Sequence, residues 1–286
     1  MLTLDKVYHA AYVLKDVVRK TALIASPKIN PDCKLYLKTE NLQVTGSFKV
    51  RGAGYKISRL SPEEKARGVI ACSAGNYAQG VALAAQQYGI TSVICLPDGA
   101  PISKVEATKS YGAEVVMVPG VYDDAYKRAL ELRDEMGYTF VHPFDDEDVI
   151  AGQGPIALEL LAELDDIEAG VVPIGGGGLI SGVAFALKQL KPDIKVYGVQ
   201  SAGAPSMYNS VKNGKKERLD SVSTIADGIA VKEPGDNTYE LVSKYVDDIV
   251  TVTEGEISSA ILALIEQHKL IAEGAGAVAV AAVMFD

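Results

Sequence analysis

GVVPIGGGGLISGVAFALKQL, Gly170–Leu190, is the stretch that decides the fold. It begins as a short Val-rich apolar run of strand type and ends with the apolar spacing of a helix. Four consecutive glycines, Gly175–Gly178, join the two. Without Cβ atoms the backbone can pass close to a ligand, and the amides of the loop and first helical turn can donate to an anion, aided by the helix dipole. The pattern predicts a phosphate cradle. It has no Gly-Lys-Ser/Thr ending, so it is not a nucleotide P-loop. It also lacks the GxGxxG register of a dinucleotide turn, and no acidic residue closes the following strand, Ile194–Gln200. A merely tight turn would not need four glycines, whose freedom is lost on folding.

Outward from this unit the same alternation recurs. Strand-like runs are Gly68–Ser73, Thr91–Pro97, Ala113–Pro119, Tyr138–Phe144, Gly170–Gly175, Ile194–Gln200 and Asp247–Val252. Helix-like stretches are Tyr77–Gly89, Pro101–Gly112, Tyr122–Gly137, Ile156–Leu164, Ile180–Leu190 and Glu256–Leu270. Several stop at Gly89, Gly112, Gly137 or Pro192, as helix ends should. Such βαβ alternation predicts parallel sheets covered by helices on both faces. A second glycine-marked strand-to-helix turn, SAGNYAQG at Ser73–Gly80, accompanies GGGGLISG at Gly175–Gly182. Ligands in open α/β sheets bind at such strand ends. The reading is therefore an α/β protein of two domains with mostly parallel sheets and a cleft between them. The smaller domain is placed at 46–145 and the larger at 1–45 with 146–286.

Composition narrows the function. The 286 residues are 48% hydrophobic and 23% charged, which is globular, and the net charge of -9 argues against nucleic acid or an anionic membrane as partner. Trp is absent and Phe numbers only five, so stacking platforms for single strands are not expected either. Cys33, Cys72 and Cys95 show no CxxC spacing, and Cys72 and Cys95 sit in apolar runs, so they read as reduced thiols. His9, His142 and His268 have no metal spacing and read as surface or packing residues. The N-terminal MLTLDKVYHAAYVLKD is charged throughout and is no signal peptide, and no apolar run reaches membrane-span length. A cytoplasmic protein is the expectation.

Lys49 lies in ENLQVTGSFKVRGAGYK, Glu40–Lys56. From residue types alone two readings stay open. Beside Arg51 and Lys56 it is a solvated surface charge. Between Phe48 and Val50, with Gly46, Gly52 and Gly54 around it, it is a partly desolvated amine in a cation-rich setting, able to act as a nucleophile.

Taken in order, TGSFKVRGA (Thr45–Ala53), CSAGNYAQGVALAA (Cys72–Ala85), AGQGPIALE (Ala151–Glu159), VVPIGGGGLISGVA (Val171–Ala184), TIADGIAV (Thr224–Val231), VDDIVTVTEGEI (Val246–Ile257) and EGAGAVAVAA (Glu273–Ala282) resemble the threonine/serine dehydratase (threonine ammonia-lyase) family over nearly the whole chain. The resemblance implies the tryptophan synthase β-like architecture of fold type II pyridoxal 5'-phosphate enzymes. It implies that Lys49 carries the cofactor through its amine and is catalytic, and that Phe48 packs on the cofactor ring. Asn76 would hydrogen-bond the ring hydroxyl. Gly175, Gly176, Gly177, Gly178 and Leu179 would hold the phosphate, and Gly228 would lie close to the ring. Ser73, Ala74, Gly75, Asn76 and Tyr77 would receive the substrate carboxylate. A homodimer or homotetramer is the family expectation.

The chain also departs from the family's pattern. Tyr77 stands where His is usual, which puts carboxylate binding or loop closure in question. Pro155 replaces a usual Thr and suits a first helical turn. Ala74 stands where serine racemases carry a Ser that protonates the opposite face, so racemisation is not expected. Gln200 and Ser206 occupy places where cation-binding members carry carboxylates, so no strong divalent site of that kind is expected. The family continues into a strand and an SGGN motif whose Ser partners the ring nitrogen. This sequence ends at Asp286, so that partner and a regulatory domain are not expected within it.

The implied reaction is deamination of L-threonine to 2-oxobutanoate and ammonia, with L-serine giving pyruvate. One methyl group separates the two substrates, worth about 1–3 kcal/mol of discrimination, so dual activity is expected. The rivals are a serine racemase or hydroxyaspartate dehydratase of the same family and a catalytically impaired protein that binds the cofactor. A nicotinamide oxidoreductase using the glycine loop is the most distant of them.

Overall fold

The computed structural model describes residues 1–285. From the N-terminus the elements are α1 (Leu4–Leu14), β1 (Leu23–Ala25), β2 (Tyr36–Lys38), α2 (Lys49–Ser58), α3 (Pro62–Arg67), β3 (Val69–Cys72), α4 (Asn76–Gln87), β4 (Ser92–Pro97), α5 (Ile102–Ser110), β5 (Glu114–Val118), α6 (Tyr122–Met136) and β6 (Thr139–Phe140). There follow α7 (Glu147–Gln153), α8 (Pro155–Glu163), β7 (Ala169–Pro173), α9 (Gly178–Leu190), β8 (Lys195–Ser201), α10 (Ser206–Lys212), α11 (Asp236–Tyr245), β9 (Asp248–Val252), α12 (Glu254–Ala263) and α13 (Gly274–Phe285). The chain divides into two compact units. One is Met1–Arg19 with Leu42–Gly152, the other Lys20–Asn41 with Gln153–Asp286.

The first unit holds a four-stranded sheet in the order β5-β4-β3-β6, parallel throughout. The central strands β3 and β4 read as continuous apolar runs because both faces are covered. Val69 and Ala71 of β3, with Ile94 and Leu96 of β4, enter one core with Ala78, Val81 and Ala85 of α4. Ile70, Cys72, Val93 and Cys95 turn to the other face, against Ala125 and Ala129 of α6. The period of two along a strand produces this division. Helix α1 packs here too: Leu14 lies against α2, where a Cβ on Gly54 would come 2.9 Å from Leu14 Cδ2. That contact groups residues 1–19 with this unit, whereas the sequence reading set residues 1–45 with the larger domain.

The second unit holds a three-stranded parallel sheet, β7-β8-β9, and a two-stranded antiparallel pair, β1-β2. Val199 of β8 and Val252 of β9 pack on Ile257 and Ala260 of α12 and on Ala277, Val278 and Ala281 of α13. On the opposite face α9 buries Ile180, Val183, Ala184 and Leu187. Gly198 in β8 leaves room for Ile174 and Ile180, since a Cβ there would come 2.3 Å from Ile174 Cδ1. The β1-β2 pair is absent from the sequence-based expectation, because three-residue strands carry too little periodicity to register.

Candidate active site

In the first unit the chain reaches Lys49 through a tightly held turn. Gln43 is buried, and its side chain takes hydrogen bonds from the amides of Arg19 (2.6 Å) and Val44 (2.9 Å) and donates to the Arg19 carbonyl (2.7 Å). Gly46 then turns at φ 73. Lys49 opens α2 with its amide 3.4 Å from Ser47 Oγ. Its Nζ lies 5.3 Å from the Phe48 ring centroid and 5.6 Å from that of Tyr77. Both are within the range of a cation–π attraction.

The glycines around Lys49 have a packing reason. A Cβ on Gly80 of α4 would sit 3.1 Å from the carbonyl carbon of Lys49 and 3.1 Å from the amide nitrogen of Val50. A Cβ on Gly152 of α7 would sit 2.7 Å from the Arg51 carbonyl oxygen and 2.8 Å from Gly52 Cα. Helix α2 is therefore gripped at backbone distance on two sides. Arg51 is fully buried and donates to the Arg19 carbonyl at 3.4 Å, and Lys56 pairs with Asp146 at 2.7 Å. Neither cation is a freely solvated surface charge, which favours the desolvated-amine reading of Lys49.

The SAGN segment follows β3 and forms the N-terminus of α4. Ser73 donates its amide to the Cys95 carbonyl and accepts the Gly75 amide on its Oγ at 3.2 Å. Gly75 is the N-cap and provides no side-chain cap. Asn76 is the first helical residue, and Ala74 packs partly buried against the α4 core. Tyr77 is 2% exposed, and its hydroxyl donates to the His142 carbonyl at 2.7 Å. Burial, with the negative field of Asp146, holds the Tyr77 phenol well above its ordinary range, so it is neutral. His142 Nδ1 accepts the amides of Phe144 (3.3 Å) and Asp145 (2.8 Å), which places its proton on Nε2. Burial lowers the His142 pKa, Asp145 and Asp146 oppose this, and Lys49 adds to it. The sequence reading passed over His142 as a scattered histidine. It also missed Lys104 in the first turn of α5, whose Nζ would lie 3.9 Å from a Cβ on Gly75. That ammonium stands beside the turn expected to receive a carboxylate.

In the second unit Gly175–Gly177 lie between β7 and α9, and Gly178 opens α9. Gly177 is the N-cap of α9 at φ 98. A Cβ there would meet Met207 Cε and Thr238 Cβ, each at 2.8 Å. No side chain caps α9, unlike α1, α3 and α12, which Thr3, Ser61 and Thr253 cap. Among the described residues, no protein acceptor meets the amides of Gly175, Gly176, Gly177, Gly178 or Leu179. Gly176, Gly177 and Gly178 are buried, and so is Ser181 in the first turn, whose hydroxyl also has no partner. Buried donors of this kind are normally satisfied. An oxyanion at the loop would satisfy them, so the residues present fit a phosphate.

Gly228 lies in the short turn Asp227–Ile229 of the same unit. A Cβ on Gly175 would come 3.1 Å from Ile229 Cα, so the ADG turn and the glycine loop are neighbours. Gln200 is fully buried with both ends engaged. It donates to the Ile174 carbonyl at 3.3 Å and accepts the Tyr208 amide at 2.8 Å. Among the described residues no group of three or more His, Cys, Asp or Glu side chains is placed to hold a metal ion.

The first unit places the Lys49 amine near two aromatic rings, and the second unit, by itself, carries a glycine loop that fits a phosphate. The family described as pyridoxal-phosphate dependent enzyme matches residues 14–286, and the chain belongs to that family. It is 54% identical to the L-threonine ammonia-lyase of Thermotoga maritima over 286 residues, covering 99% of this chain and 71% of that one. Maize serine racemase superposes with a TM-score of 0.97 at 36% identity, covering 100% of this chain and 87% of the other. The processed threonine deaminase isoform 2 of Solanum lycopersicum superposes with a TM-score of 0.93 at 39% identity, covering 98% and 79%.

Proposed function

We propose that this chain deaminates L-threonine to 2-oxobutanoate and ammonia, and L-serine to pyruvate, with Lys49 as the catalytic base. The placement of Lys49 carries the reading: it opens α2, flanked by the rings of Phe48 and Tyr77. The likeness to the Thermotoga maritima ammonia-lyase, running through 99% of this chain, supports it. Pyridoxal phosphate, when bound, supplies the electron sink that makes the substrate's α-proton removable. Gly175–Leu179 would hold its phosphate through backbone amides, with Gly228 near the ring. Phe48 would pack on the ring and Asn76 would bond its hydroxyl. The turn Ser73–Tyr77 would bind the substrate carboxylate through amides at the N-terminus of α4, with the Lys104 ammonium adding charge. The Lys49 amine takes the proton from the α-carbon, and the fixed backbone of α2 holds it in place.

The likeness to maize serine racemase gives a second reading, racemisation of serine. Ala74 argues against it, since a methyl group cannot deliver a proton to the opposite face. Formation of D-serine from L-serine would reverse that judgement.

The test is the visible spectrum of the full chain with pyridoxal phosphate, followed by addition of L-threonine and assay for 2-oxobutanoate. The expected result is a cofactor band and keto-acid formation, both abolished by Lys49→Ala. A band without product would leave the fold a cofactor-binding protein and defeat the lyase reading.

A further inference from the structure

The glycine loop is held from behind by two side chains that belong to no glycine motif. Thr238 of α11 is fully buried and donates its hydroxyl to the Gly176 carbonyl at 2.6 Å. The Gly235 carbonyl, at 3.3 Å, is its weaker acceptor. Gln200, also fully buried, donates to the Ile174 carbonyl at 3.3 Å. In a trans peptide the C=O and the following N–H point in opposite directions. Drawing the Gly176 carbonyl to Thr238 therefore turns the Gly177 amide the other way. Drawing the Ile174 carbonyl to Gln200 does the same for the Gly175 amide. Both amides are among those with no protein acceptor.

Glycine resists no rotation by itself, so four in a row would sample many amide directions. A cradle for an oxyanion works only if its donors are fixed in advance. The fixing must come from outside the loop. Thr238 supplies it twice: its hydroxyl takes the carbonyl, and its Cβ fills the space where a Gly177 side chain would go.

We propose that Thr238, assisted by Gln200, is a positioning residue that aims the Gly177 and Gly175 amides at the cofactor phosphate. The proposal rests on the assignment of the phosphate to the Gly175–Leu179 loop. Thr238 touches no reacting atom and acts through the loop. It sets how tightly the phosphate end is held, not what the cofactor's aldehyde does at Lys49.

The experiment compares binding of pyridoxal phosphate and of pyridoxal, which lacks the phosphate, to the cofactor-free full chain. Thr238→Val keeps the shape and removes the donor, while Thr238→Ser keeps the donor. The expected result is a dissociation constant for pyridoxal phosphate raised about tenfold by Thr238→Val, as for a hydrogen bond lost in a buried network, with Thr238→Ser within about threefold of wild type. Pyridoxal affinity stays unchanged in both. Should Thr238→Val not fold, Thr238→Ala removes the same donor without added bulk and carries the same expectation. Equal losses for the two ligands would reduce Thr238 to a packing residue and overturn the proposal, as would wild-type affinity for pyridoxal phosphate in Thr238→Val or Thr238→Ala. If the wild-type chain itself develops no cofactor band, the underlying assignment fails first; a normal wild-type band with indifferent variants sinks the positioning role alone.

Discussion

Tyr77 and His142 show how single residues set the ionic character around Lys49. The phenol is 2% exposed and spends its proton on the His142 carbonyl, so it is neutral at any working pH. A histidine in its place would bring a second titrating group next to the lysine amine. The group that does titrate near Lys49 is His142, whose Nδ1 ties down the amides of Phe144 and Asp145. Its folded pKa is lowered, chiefly by burial, so the unfolded chain takes up the proton first as pH falls. The stability it contributes is complete above the unfolded value of about 6.5 and declines below that. Asparagine can offer an oxygen where His142 offers Nδ1, and it does not titrate. His142→Asn should therefore flatten the loss of stability between neutral and mildly acidic pH, read as the unfolding midpoint against pH. An unchanged slope would mean that His142 is not the group responsible.

At the level of elements, Lys49 depends on helices that approach backbone to backbone. Gly152 of α7 and Gly80 of α4 leave no room for a methyl against α2. The Gly152 contact is the tighter, at 2.7 Å to the Arg51 carbonyl oxygen, against 3.1 Å at Gly80. Overpacking of this sort costs about 1–3 kcal/mol. Gly152→Ala should lower the unfolding midpoint more than Gly80→Ala, measured by thermal melting of the full chain. Gly80→Ala presses directly on the Lys49 peptide and should cost more in turnover than in stability. The sequence made the strand-to-helix turns legible because Val-rich runs and glycines are local signals. GGGG suggested a phosphate cradle in the same way. It could not reveal Thr238, which lies in an ordinary polar stretch, DNTYELVSKY, and becomes significant only when α11 packs beside α9. His142 and Lys104 were hidden for the same reason: their roles arise from contacts distant in sequence.

Across the whole molecule each unit has its own core, and the cysteines report on the two units differently. Cys33 belongs to the second unit and is exposed. Cys72 and Cys95 belong to the first, side by side on β3 and β4, and are fully buried against α6. Burial pushes the Cys72 thiol up to about 12 and the Cys95 thiol up to about 11. The thiolate is the reactive form, so at pH 8 neither carries an appreciable reactive fraction while the fold is intact. A chromogenic disulfide reagent should therefore titrate one thiol in the native chain and three in denaturant. The two slow thiols can react only when β3 and β4 open, which requires loss of the core between the sheet and α6. Their rate in dilute denaturant then measures the opening of the first unit alone. If Lys49 carries the cofactor as proposed, binding stabilises that unit by mass action and should slow both thiols together. Reaction of either one at the rate of Cys33 would mean that the β3–α6 core is open in solution.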